Sequence, residues 1–122
     1  MTDPAAPTDD AATHALCALM TEIDACTARL KQARERAEQL LHTRRAGSSW
    51  ESIVTGEERP LVVEQISSVL ASLNTAGSDW RREQAAALQS EGVSINRIAA
   101  MFGVTRQRIS ALLREPTADQ AG

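Results

Sequence analysis

The segment that decides the fold is Ile95 to Arg114, INRIAAMFGVTRQRISALLR. Two short helices that cross steeply over a very short turn make separate demands on particular positions. A small residue is needed where the two backbones approach, and the fifth position is Ala99. A residue tolerant of positive φ is needed at the turn, and the ninth is Gly103. Buried apolar side chains are needed at the fourth, eighth, tenth, fifteenth and eighteenth positions. These are Ile98, Phe102, Val104, Ile109 and Leu112. Ser94 and Thr105 stand where each helix needs a side-chain acceptor for its orphan N–H groups.

Working outward, Gly92 stops the preceding helix, which the sequence starts near Ser78 or Asp79, and Pro116 lies beyond the end of the third. The cluster Asn74-Thr-Ala-Gly-Ser-Asp79 predicts a break and a domain boundary. Before it, Pro60 suits the first turn of a helix reaching about Asn74, with Val62, Ile66, Val69, Leu70 and Leu73 on one face. Residues 48–60 form a loop or short helix around Trp50 and Ile53. Asp10 to Arg45 reads as one long helix, free of Gly and Pro, ended by Gly47. The Pro- and Asp-rich start is expected to be a disordered arm and the last residues a flexible tail.

The chain is thus expected to be all-α. A disordered arm (1–9) precedes a helical partner region (10–76). A three-helix module (77–116) and a tail (117–122) complete it. Composition agrees: hydrophobic residues are 43% and aromatics 2%, so the core is built from aliphatic residues that favour helices, with Trp50, Trp80 and Phe102 as isolated bulky anchors. No stretch approaches the ~20 apolar residues of a membrane span, and the start lacks a secretory layout. A cytoplasmic location follows as an expectation.

The segment EGVSINRIAAMFGVTRQRISALLRE, 91–115, resembles the helix-turn-helix of bacterial repressors, resolvases and sigma-factor carboxy-terminal regions. The resemblance covers about a third of the chain and is specific for the motif rather than for one family. Lys31 is the single lysine among thirteen basic residues, and Arg and Ala are heavily used, as a GC-rich, actinobacterial genome would encode. The resemblance implies a DNA-binding transcriptional regulator whose third helix, Thr105 to Arg114, reads the major groove.

At about 100° per residue, Ile109, Leu112 and Leu113 point inward together. Gln107, Ser110, Ala111 and Arg114 then face outward, with Arg106 and Arg108 at the entering end. Arginine pairs with guanine, glutamine with adenine, and Ala111 leaves room for a thymine methyl. Ser94 and Thr105 suit phosphates, and Arg81, Arg82 and Arg97 supply counter-charge. The net charge of −3 conceals an asymmetry. Residues 1–78 carry seven basic and eleven acidic groups, whereas 79–115 carry six arginines against four acids. The alternative to DNA reading is a helix-turn-helix fold that binds protein, or an accessory factor without specific DNA binding.

Upstream, a partial repeat is offset by 45 residues: Gly47, Ser49 and Ile53 correspond to Gly92, Ser94 and Ile98. Past Val54 the match fails, and no cationic helix follows. A converted duplication and a simple stop-and-cap signal both account for it.

Along the first helix, apolar residues recur with heptad spacing. Leu16, Leu19, Ile23, Cys26 and Leu30 are the expected dimerisation residues. A parallel pair would set Arg29 against Arg34, and Met20 and Leu41 widen the stripe. An antiparallel or globular homodimer, with the helix packed on residues 60–74, is therefore expected. His14, Cys17, Cys26 and His42 lack paired ligand spacing, so no metal or other cofactor is expected. No phosphate-cradling loop or nucleophile–base pairing argues for an enzyme.

Overall fold

A computed structural model describes residues 9–115. The described chain is all-helical: α1 (Ala11–Arg45), α2 (Trp50–Gly56), α3 (Val62–Ser90), α4 (Ile95–Phe102) and α5 (Arg106–Arg114). The expected arm (apart from residue 9) and the tail lie outside the described residues.

Helix α1 begins where a side chain satisfies its first donors. The Asp10 carboxylate accepts from the Thr13 N–H at 2.9 Å and from the Thr13 hydroxyl at 2.8 Å. These two bonds favour the ionised form and hold the Asp10 carboxyl below its ordinary value, the backbone bond contributing most. At the far end Gly47 turns left-handed at φ +113°. The Gly47 N–H donates to the Arg44 carbonyl and the Ser48 N–H to that of Thr43, a Schellman closure.

The helix break expected at Asn74 to Asp79 does not occur, although the division between packing units falls there, between Asn74 and Thr75. Helix α3 runs unbroken from Val62 through Gly77 to Ser90. Breakers act by offering the backbone another conformation, and none is taken here. Gly77 is not among the glycines with positive φ. The Asp79 carboxylate accepts from Arg82, three residues on, at 2.6 Å and so caps no new helix. Residues 76–80 are half-buried, and their packing outweighs the weak local preference. The start is also shifted, since α3 begins two residues after Pro60. There the Leu61 N–H donates to Glu64 Oε1 and the Val62 N–H to Glu57 Oε2, each at 2.8 Å.

By packing, the described residues divide into a terminal unit, up to Met20 together with Thr75 onward, and a central unit, Thr21–Asn74. Residues 10–20, expected in the partner region, thus group with the carboxy-terminal module. In the central unit, α1 and α3 lie antiparallel. The Cys26 thiol donates to the Val69 carbonyl at 3.9 Å and Arg29 Nη2 to Ser68 Oγ at 2.6 Å, while Arg36 reaches the carbonyls of Glu58 and Pro60. Cys26, Ala33, Ile53 and Val69 are its buried side chains. In the terminal unit, Ala85 of α3, Ile98 and Ala99 of α4, and Ile109 and Leu112 of α5 form one buried cluster. Leu88, Val93, Ile95, Phe102 and Leu113 pack around it.

The 45-residue correspondence extends to backbone geometry. Gly92 and Val93 close α3 with the hydrogen bonds that Gly47 and Ser48 make at the end of α1. Ser49 and Ser94 both cap from extended backbone, accepting from the N–H three residues on. Ile53 and Ile98 are both buried. Trp50 and Ile95 part ways, since Trp50 is exposed beneath the Arg44 guanidinium whereas Ile95 packs on the core. Helix α2 then ends at Gly56 with an extended Glu57, whereas α4 closes on a left-handed glycine.

Candidate nucleic-acid interface

The geometry of the α4–α5 turn follows from three residues. Gly103 takes φ +69° and ψ 32° and donates back to α4, while the Val104 N–H donates to the Ala99 carbonyl at 3.0 Å. This is a third Schellman closure, and it reverses the chain within three residues before Thr105 caps α5. The Thr105 hydroxyl accepts from the Arg108 N–H at 3.1 Å and the Ser94 hydroxyl from the Arg97 N–H at 3.2 Å. Ala99, only 5% exposed, fills the close approach below the turn.

Of the positions expected to be buried, Ile98, Ala99, Ile109 and Leu112 are, and Phe102 is half-buried. Val104 is not; it remains 42% exposed. A residue after such a turn usually packs on the side chain five positions earlier, and here that is Ala99, too small to cover it.

Helix α5 buries Ile109 and Leu112 and leaves Arg106, Gln107, Arg108 and Arg114 in solvent. Ser110 and Ala111 are only half-exposed, so the outward face is framed by three arginines and Gln107 around two small residues. Arg97 adds a further exposed guanidinium from α4. Among the described residues, Arg97, Arg106, Arg108 and Arg114 have no ion-pair partner. An unpaired cationic face keeps its charge available to a ligand rather than spending it within the chain.

Arg81 and Arg82 have different fates. Arg81 is exposed, its guanidinium 4.1 Å from the Phe102 ring centroid, so it is held beside α4 by stacking. Arg82 was expected to contact DNA, but its side chain is only 7% exposed. It binds Asp79 at 2.6 Å and Glu115 at 3.6 Å, tying α3 to the end of α5. The sequence shows an arginine pair and cannot say which of the two is turned inward. The useful signal was Asp79 three residues before Arg82, which forms an ion pair across one helical turn.

The expected dimerisation residues divide in the same way. Cys26 is 1% exposed and donates to Val69, and Leu19 is half-buried. Cys26 thus belongs to the inner side of α1 and is unavailable as a seam between chains. Leu16, Ile23 and Leu30 remain exposed. Burial pushes the Cys26 thiol above its ordinary pKa, and the nearby Glu22 carboxylate adds to the shift. Among the described residues no group of three His, Cys, Asp or Glu side chains could hold a metal ion, and no helix is long and apolar enough to cross a membrane. Comparison with protein-family models, curated proteins and solved structures finds no match for this chain.

Proposed function

We propose that the chain is a helix-turn-helix transcriptional regulator that reads duplex DNA in the major groove with α5, as a homodimer. The observation that carries this reading is the pairing of turn and charge. Two capped helices meet over a left-handed Gly103 and a small, buried Ala99. The helix after the turn presents Arg106, Gln107, Arg108 and Arg114 to solvent without acidic partners. Gln107 and Arg114 reach toward base edges, and Arg97, Arg106 and Arg108 toward phosphates flanking the groove. The hydroxyls of Ser94 and Thr105 accept from their own helices and still have a proton to donate to a phosphate oxygen. Such a protein works beside the nucleoid in the cytoplasm, needs no cofactor and performs no catalysis.

A second reading keeps the fold and replaces DNA with a protein partner. It draws on Met101 and Val104, 54% and 42% exposed beside the turn. A titration of labelled duplex against wild type and against Gln107→Ala with Arg114→Ala separates the two. Each substitution should cost ~1–3 kcal/mol on a preferred site and little on random duplex. Equal affinity of the variant and wild type for that site would reject α5 as the reader.

A further inference from the structure

The central unit carries an aliphatic face that its own fold does not cover, and we infer that a second copy of this chain docks there antiparallel. The inference rests on the dimeric form of the proposed reading and names the surface that makes the dimer.

On α1, the inner side is Glu22, Cys26, Arg29, Ala33 and Arg36, all buried or half-buried at alternating spacings of four and three. Ile23 and Leu30 each follow an inner residue by one position, a rotation of about 100°. They stay 45% and 43% exposed. On α3, Val62, Gln65 and Val69 turn inward, and Val63, Ile66 and Leu70 each follow by one. Because α1 and α3 run antiparallel, rotations of the same sense on the two helices bring both stripes to one side of the pair. The contacts of Cys26 with Val69 and of Arg29 with Ser68 fix the level and place Leu30 near that of Ile66. With Val63 at 66%, Ile66 at 41% and Leu70 at 62% exposure, five branched aliphatic side chains share one face. Together they offer on the order of 400 Å² of apolar surface, as large as the biggest patch on a typical monomer and about half of one partner's share of a standard interface.

Charge selects the occupant and its direction. Asp24 and Lys31 stand on one edge of this stripe, two helical turns apart and both exposed. Among the described residues neither has an ion-pair partner. A two-fold axis near Thr27 sets Asp24 of one copy against Lys31 of the other, and the symmetry makes the pair twice. A two-fold axis running along the helices instead lays α1 of each copy over α3 of the other and brings no Asp24 opposite a Lys31. The edge is thus self-complementary in the antiparallel sense alone.

Sedimentation velocity on the full chain without DNA tests this. Wild type should be dimeric at tens of micromolar, and Ile66→Asp with Leu70→Asp should be monomeric while retaining the wild-type helical circular dichroism. These side chains are exposed in the single chain, so the substitution spares its core. Asp24→Lys alone and Lys31→Asp alone should each weaken the dimer about tenfold, because two attractions become two repulsions. The swap carrying both should return it to near the wild-type strength. A monomeric wild type at about 100 micromolar, or a double swap no better than the singles, would overturn the inference. A monomer that still selects a DNA sequence overturns this surface and leaves the reading by α5 standing.

Discussion

Replacing Gly77 by alanine should stabilise the protein, although the sequence around it reads as a helix breaker. Gly77 lies inside α3, without positive φ, and a methyl group built on its α-carbon meets nothing within 4 Å. Nothing in the native state therefore opposes the change. Glycine in a helix interior is less favourable than alanine by ~0.8–1.0 kcal/mol, much of it from the extra freedom of the unfolded chain. The expected gain is about 0.5–1 kcal/mol. With a urea slope of roughly 1–2 kcal/mol/M for a chain of this size, the midpoint should rise by about 0.3–1 M at unchanged slope. Fluorescence of Trp80, three residues away and half-buried, reports the transition in a Trp50→Phe background. Gly92→Ala is the matched control. Its φ of +88° is disfavoured for any L side chain, so it should lose about 1–2 kcal/mol. If Gly77→Ala were destabilising by a similar amount, Gly77 would be a turn residue and the continuity of α3 would be wrong.

Other substitutions probe the terminal unit and the thiols. Ile98→Ala empties a fully buried site in a cluster whose other large members are only Ile109 and Leu112. It should cost ~2–5 kcal/mol by chemical denaturation, a large share of the stability of so small a core. Asp79→Ala leaves the Arg82 guanidinium buried with Glu115 alone at 3.6 Å. It should cost ~1.5–3 kcal/mol, whereas an effect under a few tenths would mean that the ion pair contributes nothing to holding α5. Of the two free cysteines, exposed Cys17 should react with an aromatic disulfide at neutral pH at an ordinary thiol rate. Buried Cys26 should react only as the protein opens; equal rates would contradict its place between α1 and α3.

Local signals were legible wherever a backbone device has a unique chemical signature. Three glycines followed by a capping hydroxyl within two residues, at Gly47, Gly92 and Gly103, each close one helix just before the next begins. The inward stripe of α5 followed from its period for the same reason. What misled was residue type without context. Gly77, Ser78 and Asp79 favour a break only if the alternative conformation gains something, and half-buried packing along α3 gains more. The heptad on α1 was real, but a heptad records that a helix has an apolar side without recording what covers it. Cys26 turned out to face inward. The division of Arg81 and Arg82 between surface and core depends on where Phe102 and Glu115 lie, and both come from elements far along the chain.

The central claim is that α5 reads a DNA sequence, and selection of bound duplexes from a random pool by the full chain tests it most directly. The account predicts enrichment of a two-fold-related motif whose half-sites lie about one helical turn, or a multiple of it, apart. It also predicts that the preference within each half-site is lost when Gln107 and Arg114 are replaced by alanine. Recovery of duplexes no different from the starting pool, with binding that depends only on salt, would contradict it.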